Sequence, residues 1–355
     1  MQGIALSRAF YGELVRPWLT EVAPNLKHAA ALIGYGSELL GFDDEMSRDH
    51  NWGPRVHLYV SRADFDARAQ ALVTGFSRAT PESFHGEPIG WRSRPHPPAN
   101  SPDALGAAEH GLEIHTIEGR LEAALGLRSL ADVEVLTWLG FTQQGLLSLT
   151  AGAVFHDDTG ELTALRERMA YFPDDVWLYR IACQWRRIAE EQAFVGRAGM
   201  AGDDLGSRVV AGRLVRDVMG MAFLLARRYA PYAKWFGSGF ARLPMAAALT
   251  PHLAAALGAE HWQARGEALA EAYLVLAQNQ QALGIAPFAP VLGPYHERPF
   301  RTINADDGVA AALAGISDIR LRALPVVGAI DQVSDLTPVL MDSGLTLRMM
   351  AQLRP

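Results

Sequence analysis

The sequence predicts an α+β protein, with a small α/β domain at residues 1–126 and a larger all-helical domain at residues 127–355. Two observations predict this division. Short apolar or alternating segments, which are typical of β-strands, lie at residues 29–33, 55–60 and 111–117. Beyond the last of them, the apolar residues recur almost entirely at helical spacing. The change in periodicity therefore places a sheet in the first third of the chain and helices in the rest.

The chain has 355 residues and a net charge of −7, and it is long enough for two domains. The acidic balance gives no general electrostatic reason to expect binding to nucleic acid or to an anionic membrane. No apolar run is long enough to span a bilayer, and the N-terminus is typical of an amphipathic helix with no signal peptide. We therefore expect a cytoplasmic protein, and we leave its oligomeric state open. The single cysteine, Cys183, excludes an internal disulfide and is predicted to be a small buried apolar residue.

The first domain is predicted to alternate helices and strands. An amphipathic helix at residues 4–19 precedes the first strand, and Ser61-Arg-Ala-Asp64 is a capping box that begins a helix after the second strand. Prolines recur between residues 81 and 102, which predicts a long loop of the kind that often forms a lid or binding loop. In the third strand, alternation places Glu113 and His115 on one face.

The second domain is predicted to consist of helices, many with Asp, Ser or Thr at the capping position. The predicted helices are Asp132–Gly140, Gln143–Ala151, Asp174–Phe194, Asp204–Tyr229, Tyr232–Ala241, His261–Leu283, Asp307–Ala314 and Leu345–Leu353.

A Gly-Ser turn follows the first strand and is the first candidate for binding chemistry. Gly36 allows the backbone to approach a phosphate closely, and the Ser37 hydroxyl adds a donor. A helix beginning there would contribute its N-terminal N–H groups. In the alternative interpretation, Ser37 is only an N-cap.

Asp49 and Asn51 form the second candidate. In an extended segment, alternate side chains share a face, and two oxygen ligands at this spacing suit Mg²⁺. The alternative is a surface Asx turn before Trp52, which the neutral amide of Asn51 favours. The nearby Asp43, Asp44 and Glu45 are more typical of a solvated acidic loop.

Glu113 is the third candidate, as a metal ligand or as a general base, with His115 on the same face. The alternative is an edge strand whose polar face is solvated. In the helical domain, Tyr232 and Lys234 could contact a base and a phosphate. Alternatively, the aromatic residues there are core and Lys234 extends to water.

Two further groups are given structural interpretations, and the lysines a functional one. Arg186 and Glu190 have the spacing of a salt bridge, and His156-Asp157-Asp158 is typical of a turn. Only two of the 32 basic residues are lysines, Lys27 and Lys234, in a chain rich in Arg. A lysine that persists against that bias is a weak indication of a need for a compact ammonium group.

Gly36-Ser37, Asp49-x-Asn51 and the later strand carboxylate Glu113 resemble the signature of the nucleotidyltransferase superfamily, which includes DNA polymerase beta and the aminoglycoside nucleotidyltransferases. Longer segments resemble uncharacterised bacterial proteins that carry "domain of unknown function 4037". These segments are GSELLGFDDEMSRDHNWGPR, PDDVWLYRIACQWRRIAEEQAFVGRAG and RRYAPYAKWFGSGFARLP.

The resemblance implies a mixed sheet in the first domain and roles for its motif residues. Gly36 and Ser37 would hold a triphosphate, and Asp49 and Glu113 would be metal ligands. Asn51 departs from the superfamily pattern, which has an acid there, and this departure places a two-metal site in doubt while leaving one Mg²⁺ feasible.

The implied activity is Mg²⁺-dependent transfer of a nucleoside monophosphate from a nucleoside triphosphate, ATP first, to a hydroxyl of a small molecule. Glu113 would assist the nucleophile, and Arg55 and Lys234 would neutralise phosphate charge. The helical domain would shape the acceptor pocket. The alternative is a catalytically impaired, nucleotide-binding or regulatory protein of the same fold, and transfer to a protein or an RNA is a third reading.

Overall fold

The computed structural model of the protein describes residues 3–46, 52–89, 104–106, 110–131 and 133–353, with the backbone only for 104–106. Two of the predicted site residues, Asp49 and Asn51, lie outside the described residues. Most of the predicted proline-rich loop also lies outside them.

The chain divides into two compact units. The first comprises Met1–Val133, Gly145–Ala170 and Asp342–Gly344, and the second comprises Glu134–Gln144, Tyr171–Met341 and Leu345–Pro355.

The strands, in chain order, are β1 Ala29–Leu32, β2 Val56–Tyr59, β3 Ser83–Phe84, β4 Glu87–Pro88, β5 Ala104–Gly106, β6 Leu112–His115, β7 Ala153–Asp157, β8 Leu292–Tyr295 and β9 Arg298–Ile303.

The α-helices are α1 Gly3–Phe10, α2 Arg16–Val22, α3 Arg62–Ala79, α4 Ile117–Leu125, α5 Gln143–Thr150, α6 Glu161–Arg168, α7 Asp174–Glu191, α8 Phe194–Met200, α9 Asp204–Leu225, α10 Ala233–Phe240, α11 Ala246–Gly258, α12 Trp262–Leu283, α13 Ala305–Ala314, α14 Ile319–Arg322, α15 Ile330–Val333, α16 Thr337–Leu340 and α17 Ser343–Ala351. A π-helical turn, Tyr11–Val15, joins α1 to α2, and two 3₁₀ helices cover Glu38–Leu40 and Val135–Gly140.

A five-stranded mixed sheet organises the first unit, in the order β5-β6-β2-β1-β7. Strand β1 pairs antiparallel with both β2 and β7, whereas β2 and β6 are parallel. The predicted α+β class and the mixed sheet are confirmed. The predicted strands at 29–33, 55–60 and 111–117 form three adjacent strands of this sheet.

One face of the sheet is apolar and packs under the N-terminal helices and α3. Alternation along β2 and β6 directs the apolar side chains to this face, where they join the aromatic residues of the helices in one buried core. This core includes Phe10, Val56, Leu58, Phe76, Leu112 and Ile114. The predicted N-cap of α3 is confirmed at Ser61, whose hydroxyl accepts the backbone N–H of Asp64 at 3.1 Å. The Asp64 carboxylate accepts the Ser61 hydroxyl at 2.8 Å rather than a backbone N–H. The alternating polar residues of β2 and β6 therefore share the opposite face.

Strand β7 corrects two expectations. His156 and Asp157, interpreted as a turn, belong to this strand, which pairs with β1. The predicted domain boundary after residue 126 therefore separates β7 from the sheet to which it is hydrogen-bonded, and residues 145–170 belong to the first unit. The predicted loop from residue 81 also begins with regular structure, because β3 and β4 form a short hairpin.

The second unit is mainly helical, as predicted, with a β8–β9 hairpin in addition. The predicted helix 132–140 is present only as the 3₁₀ helix Val135–Gly140, and α8 and α11 were not predicted. Cys183 is buried as predicted, and burial raises the pKa of its thiol to about 12. The Arg186–Glu190 ion pair is present at 3.7 Å. Within the described residues, no helix combines the length and hydropathy needed to cross a membrane.

Candidate functional site

The Gly34-Tyr-Gly-Ser37 turn leaves β1 through two backbone conformations that L-residues rarely adopt. Gly34 has φ +122° and Gly36 has φ +148°. A Cβ at Gly34 would lie 2.8 Å from Arg120 Nη2, and a Cβ at Gly36 would lie 2.5 Å from a carboxylate oxygen of Glu38. Both glycines are therefore required by the backbone conformation and by the close approach of charged side chains.

Ser37 occupies the N-cap position of the helix after this turn, but its side chain makes no capping hydrogen bond. The alternative interpretation of Ser37 as an N-cap is thus not supported by a bond. The predicted helix is only the three-residue 3₁₀ helix Glu38–Leu40, which is too short for an appreciable helix dipole. Any phosphate binding at this turn therefore depends on its backbone N–H groups, the Ser37 hydroxyl and nearby guanidinium groups.

Arg55 links the turn to the start of β2. Its guanidinium forms an ion pair with Glu38, which is buried, and donates a hydrogen bond to the Tyr35 carbonyl at 3.3 Å. Arg55 was predicted to neutralise phosphate charge. Since Glu38 already balances its charge, Arg55 holds the turn in place, and its contact with phosphate stays a prediction.

Arg120, on α4, is a second guanidinium at the turn that the sequence analysis did not single out. It is buried, lies against Gly34 and donates to the Ser148 carbonyl at 2.9 Å. No carboxylate among the described residues forms an ion pair with it. Its Nε is buried with no hydrogen-bond partner among those residues. Arg120 therefore supplies positive charge on the β6 side of the turn.

The polar face of the sheet brings Glu113 together with two histidines. His57 on β2 and Glu113 on β6 are register partners, and their Nε2 and Oε2 atoms are 3.8 Å apart. His115 Nε2 lies 3.0 Å from the same Glu113 oxygen. Tyr59 stacks on the His115 ring, with 5.5 Å between the ring centres. The predicted neighbourhood of Glu113 and His115 is confirmed, and His57 is an addition.

The alternative interpretation of the third strand as a solvated edge strand is wrong, because β6 lies between β5 and β2. His57 and His115 are buried, whereas the Glu113 side chain is 33% exposed. The carboxylate therefore forms the accessible part of an otherwise buried cluster.

Burial determines the protonation of this face. It lowers the pKa of His57 from 6.5 to about 3, so the ring is neutral at pH 7. Burial would raise the pKa of Glu113, but the hydrogen bond from His115 and the positive charge of Arg55 oppose it and lower that pKa. Burial raises the pKa of the Tyr59 hydroxyl to about 12. At neutral pH the face thus carries an ionised carboxylate beside a neutral imidazole.

The acidic segment after the turn has a structural role at Asp43. Its carboxylate accepts the Gly3 backbone N–H at 3.0 Å and the Trp52 indole N–H at 3.4 Å. Asp43 therefore fixes the N-terminal helix and the segment that leads to β2, and the expectation of a solvated loop is wrong for this residue.

A second polar cluster lies between β1 and β7. His156 Nε2 is 2.9 Å from Asp158, and Asp158 also accepts the backbone N–H of His28 at 3.0 Å. The His28 ring contacts the Tyr11 hydroxyl at 2.9 Å. These contacts join the edge of the sheet to the N-terminal helix.

Tyr232 and Lys234 belong to the second unit, at the start of α10. Tyr232 is 42% exposed, so the alternative in which it is a core residue is wrong. Lys234 is exposed, with its Nζ 4.8 Å from the centre of the Trp235 ring. Their roles toward a phosphate and a base stay predictions.

Sequence reasoning missed Glu38, His57 and Arg120. One signal could have identified His57, since it shares the strand face of Arg55 and Tyr59 by simple alternation. Arg120 carries no comparable signal, because its nearest partners, Gly34 and Ser148, are distant in sequence.

Residues 138–236 match the family model described as "Domain of unknown function (DUF4037)". No curated protein matches the chain. Among solved structures, the chain is similar to a nucleotidyltransferase-like protein from Exiguobacterium sibiricum 255-15, at 9% identity and a TM-score of 0.35, over 80% of this chain and 82% of that one. The family match confirms the resemblance to domain of unknown function 4037 over residues 138–236, a segment that includes Tyr232 and Lys234.

Proposed function

We propose that the protein is a nucleotidyltransferase that moves a nucleoside monophosphate from a nucleoside triphosphate, with ATP as the first candidate, to a hydroxyl of a small molecule. One observation carries this proposal. The guanidinium groups of Arg55 and Arg120 lie against the Gly34–Ser37 turn, and the charge of Arg55 also acts on the Glu113 carboxylate in the same unit. A glycine turn, positive charge and an ionised carboxylate are the components that a metal-bound triphosphate requires.

Magnesium is the proposed metal, and Glu113 fits the part of a ligand. Its carboxylate is ionised and partly exposed, as a hard oxygen ligand must be. Asp49 and Asn51 are the other proposed ligands. When bound, Mg²⁺ would neutralise triphosphate charge and polarise the reacting phosphate.

The remaining proposed roles concern phosphate binding and the part played by Glu113. The turn and the Ser37 hydroxyl would hold phosphate oxygens, and Arg120 would stabilise their negative charge. Of the two predicted roles for Glu113, metal ligand and general base, the lowered pKa favours the first, because a weakly basic carboxylate takes a proton poorly at neutral pH.

A thermal-shift experiment with each of the four ribonucleoside triphosphates, with and without Mg²⁺, tests this proposal. At ~100 times its dissociation constant, a ligand of the native state raises the free energy of unfolding by roughly 2.7 kcal/mol. We expect such stabilisation only when both the triphosphate and Mg²⁺ are present. Stabilisation by none of the four triphosphates, at any Mg²⁺ concentration, would contradict the proposal.

A second candidate function is nucleotide binding without turnover. It is favoured by Asn51, a neutral amide at the position where the nucleotidyltransferase pattern has a carboxylate. Incubation with a labelled triphosphate, Mg²⁺ and a panel of hydroxyl acceptors separates the two. Labelled acceptor or released pyrophosphate supports transfer, whereas tight binding with neither product supports the second candidate.

A further inference from the structure

We propose that His57, His115 and Glu113 bind a divalent first-row transition-metal ion of the Fe²⁺ to Zn²⁺ series. The three side chains offer two imidazole nitrogens and one carboxylate oxygen, all within 4.8 Å of one another. Imidazole is a preferred ligand for these ions, whereas Mg²⁺ is bound by oxygen. The donor set at Glu113 is thus different from the all-oxygen set that the proposed magnesium site uses.

The state of the His57 ring supports a ligand at this position. The ring is 7% exposed, its Nδ1 has no hydrogen-bond partner among the described residues, and its Nε2 is 3.8 Å from Glu113. Among the described residues, no hydrogen bond engages Nε2, so a metal would bind that nitrogen without displacing a partner. Binding there leaves the ring proton on Nδ1.

The spacing of the donor atoms also fits. Zinc binds nitrogen and carboxylate oxygen at about 2.0–2.2 Å, so adjacent ligand atoms of a tetrahedral site are roughly 3.4 Å apart. The distances from the Glu113 oxygen to the two imidazole nitrogens, 3.0 Å and 3.8 Å, bracket that value. All three residues lie on the adjacent strands β2 and β6, which hold the ligands rigidly.

The ligand atoms of His28, His156 and Asp158 are also close enough together to hold a metal. The hydrogen bonds of His28, however, argue against a metal there. Both nitrogens of His28 are engaged, Nε2 with the Tyr11 hydroxyl at 2.9 Å and Nδ1 with the Leu26 carbonyl at 3.1 Å. Binding a metal there would break one of these bonds. At His57 no such bond would be lost, and at His115 the bond given up is the one to Glu113, which is itself a proposed ligand.

This inference does not depend on the proposed transferase function, although the two share Glu113. A transition-metal ion should bind in the absence of any nucleotide. Asp49 is a ligand in the proposed magnesium site and is not among the three ligands proposed for the transition metal.

The test is a titration of the chelator-treated, full-length protein with Co²⁺, followed by visible absorbance and by calorimetry. Since loss of an outer-shell partner alone weakens metal affinity about 10- to 100-fold, loss of a ligand should cost at least ten-fold. We expect one equivalent of Co²⁺ to bind the parent. We expect at least ten-fold weaker binding in His57→Asn and in His115→Asn, and unchanged binding in the matched control His156→Asn. Parent-like affinity in both His57→Asn and His115→Asn, or loss only in His156→Asn, overturns the proposal.

A second measurement remains informative even if the His57 and His115 variants fail to fold. X-ray absorption of Zn²⁺-loaded His156→Asn protein, which leaves the proposed site intact, should show imidazole scattering from two ligands. A coordination shell without imidazole overturns the proposal whatever happens to the other variants.

Asp49→Ala separates this inference from the proposed function. It should lose Mg²⁺-dependent triphosphate binding and keep the Co²⁺ site. If the parent binds triphosphate with Mg²⁺ but takes up no Co²⁺, the metal inference fails and the proposed function stands. If the parent takes up Co²⁺ but binds no triphosphate, the proposed function fails and the metal inference stands.

Discussion

Single residues of the glycine turn determine how closely charge can approach it. Gly34 has φ +122°, and its missing side chain leaves room for the Arg120 guanidinium. Ser37 keeps a hydroxyl that caps no helix. The turn therefore has the buried Arg120 guanidinium against its backbone. Any other residue at Gly34 would strain that backbone.

Gly34→Ala should weaken triphosphate binding in the presence of Mg²⁺. The new Cβ would displace Arg120, and the strained backbone should also lower the free energy of unfolding by about 1–3 kcal/mol. The matched control is Gly160→Ala, a glycine of the same unit with φ +75° and no atom within 4 Å of an added Cβ. Calorimetric titration of both variants checks this prediction, and equal triphosphate affinities would contradict it.

Asn51→Asp should raise Mg²⁺ affinity in the triphosphate complex, because it adds a negative oxygen at nearly constant volume. If Asn51 is instead part of an Asx turn, Asp replaces it without consequence. The measurement is a Mg²⁺ titration of parent and variant at fixed triphosphate concentration. An unchanged Mg²⁺ midpoint removes Asn51 from the metal site.

At the scale of elements, strands β2 and β6 assemble the site. Their apolar residues anchor one face of the sheet under the helices, so His57, Glu113 and His115 are held on the other. The same burial that fixes these side chains keeps His57 neutral. This should give the protein a measurable dependence of stability on pH.

Acidification should destabilise the parent more than His57→Asn. The folded-state pKa of His57, about 3, is below the unfolded value of 6.5, so between these values the unfolded state binds more protons. The stabilisation is complete above pH 6.5 and is lost as the pH falls. Between pH 7 and 5 the parent should lose up to about 2 kcal/mol more than the variant.

Denaturant unfolding at both pH values measures this difference. The lowered pKa of Glu113 acts in the same direction, but only as the pH falls through the acid range below 4.5, outside the measured range. The lowered pKa of His28 is common to both proteins and cancels. Identical pH slopes for parent and variant would show that His57 is not buried as a neutral ring.

The elements predicted from sequence were those with extensive burial. Strands β1 and β2 are buried at every position and β6 at all but one, so each appears in the sequence as an apolar or alternating segment. Helix α3 repeats apolar residues on the side that packs on the core. Strand β7 was missed because all five of its residues are partly exposed, so no alternation marks it. Glu113 and His115 were recognised together because they share a strand, whereas His57 and Arg120 reach the site through pairings made only in the folded chain.

At the scale of the whole molecule, the two units carry different parts of the resemblance. The Gly-Ser turn and Glu113 belong to the first unit. The segment that matches domain of unknown function 4037 lies largely in the second unit, with Tyr232 and Lys234 near its end. We propose that Lys234, in the second unit, contributes to triphosphate binding, and a variant of this residue tests the proposal.

Lys234→Ala should weaken triphosphate binding about ten-fold, as expected for loss of a charge-assisted contact worth ~1.5 kcal/mol. Lys27→Ala is the matched control, since Lys27 is the other lysine of the chain and is also exposed. Side-by-side titrations of the two variants test this. Equal effects would leave Lys234 without a role in nucleotide binding.

The most direct test of the central claim is a calorimetric titration of Glu113→Gln with the triphosphate that stabilises the parent, at saturating Mg²⁺. The substitution removes the negative charge at nearly constant volume. Glu118→Gln, the same change at an exposed position on α4, is the control. The account predicts at least about ten-fold weaker Mg²⁺-dependent binding in Glu113→Gln, from loss of one charged ligand, and parent-like binding in Glu118→Gln. Parent-like affinity in a folded Glu113→Gln protein would contradict the assignment of this face as the site.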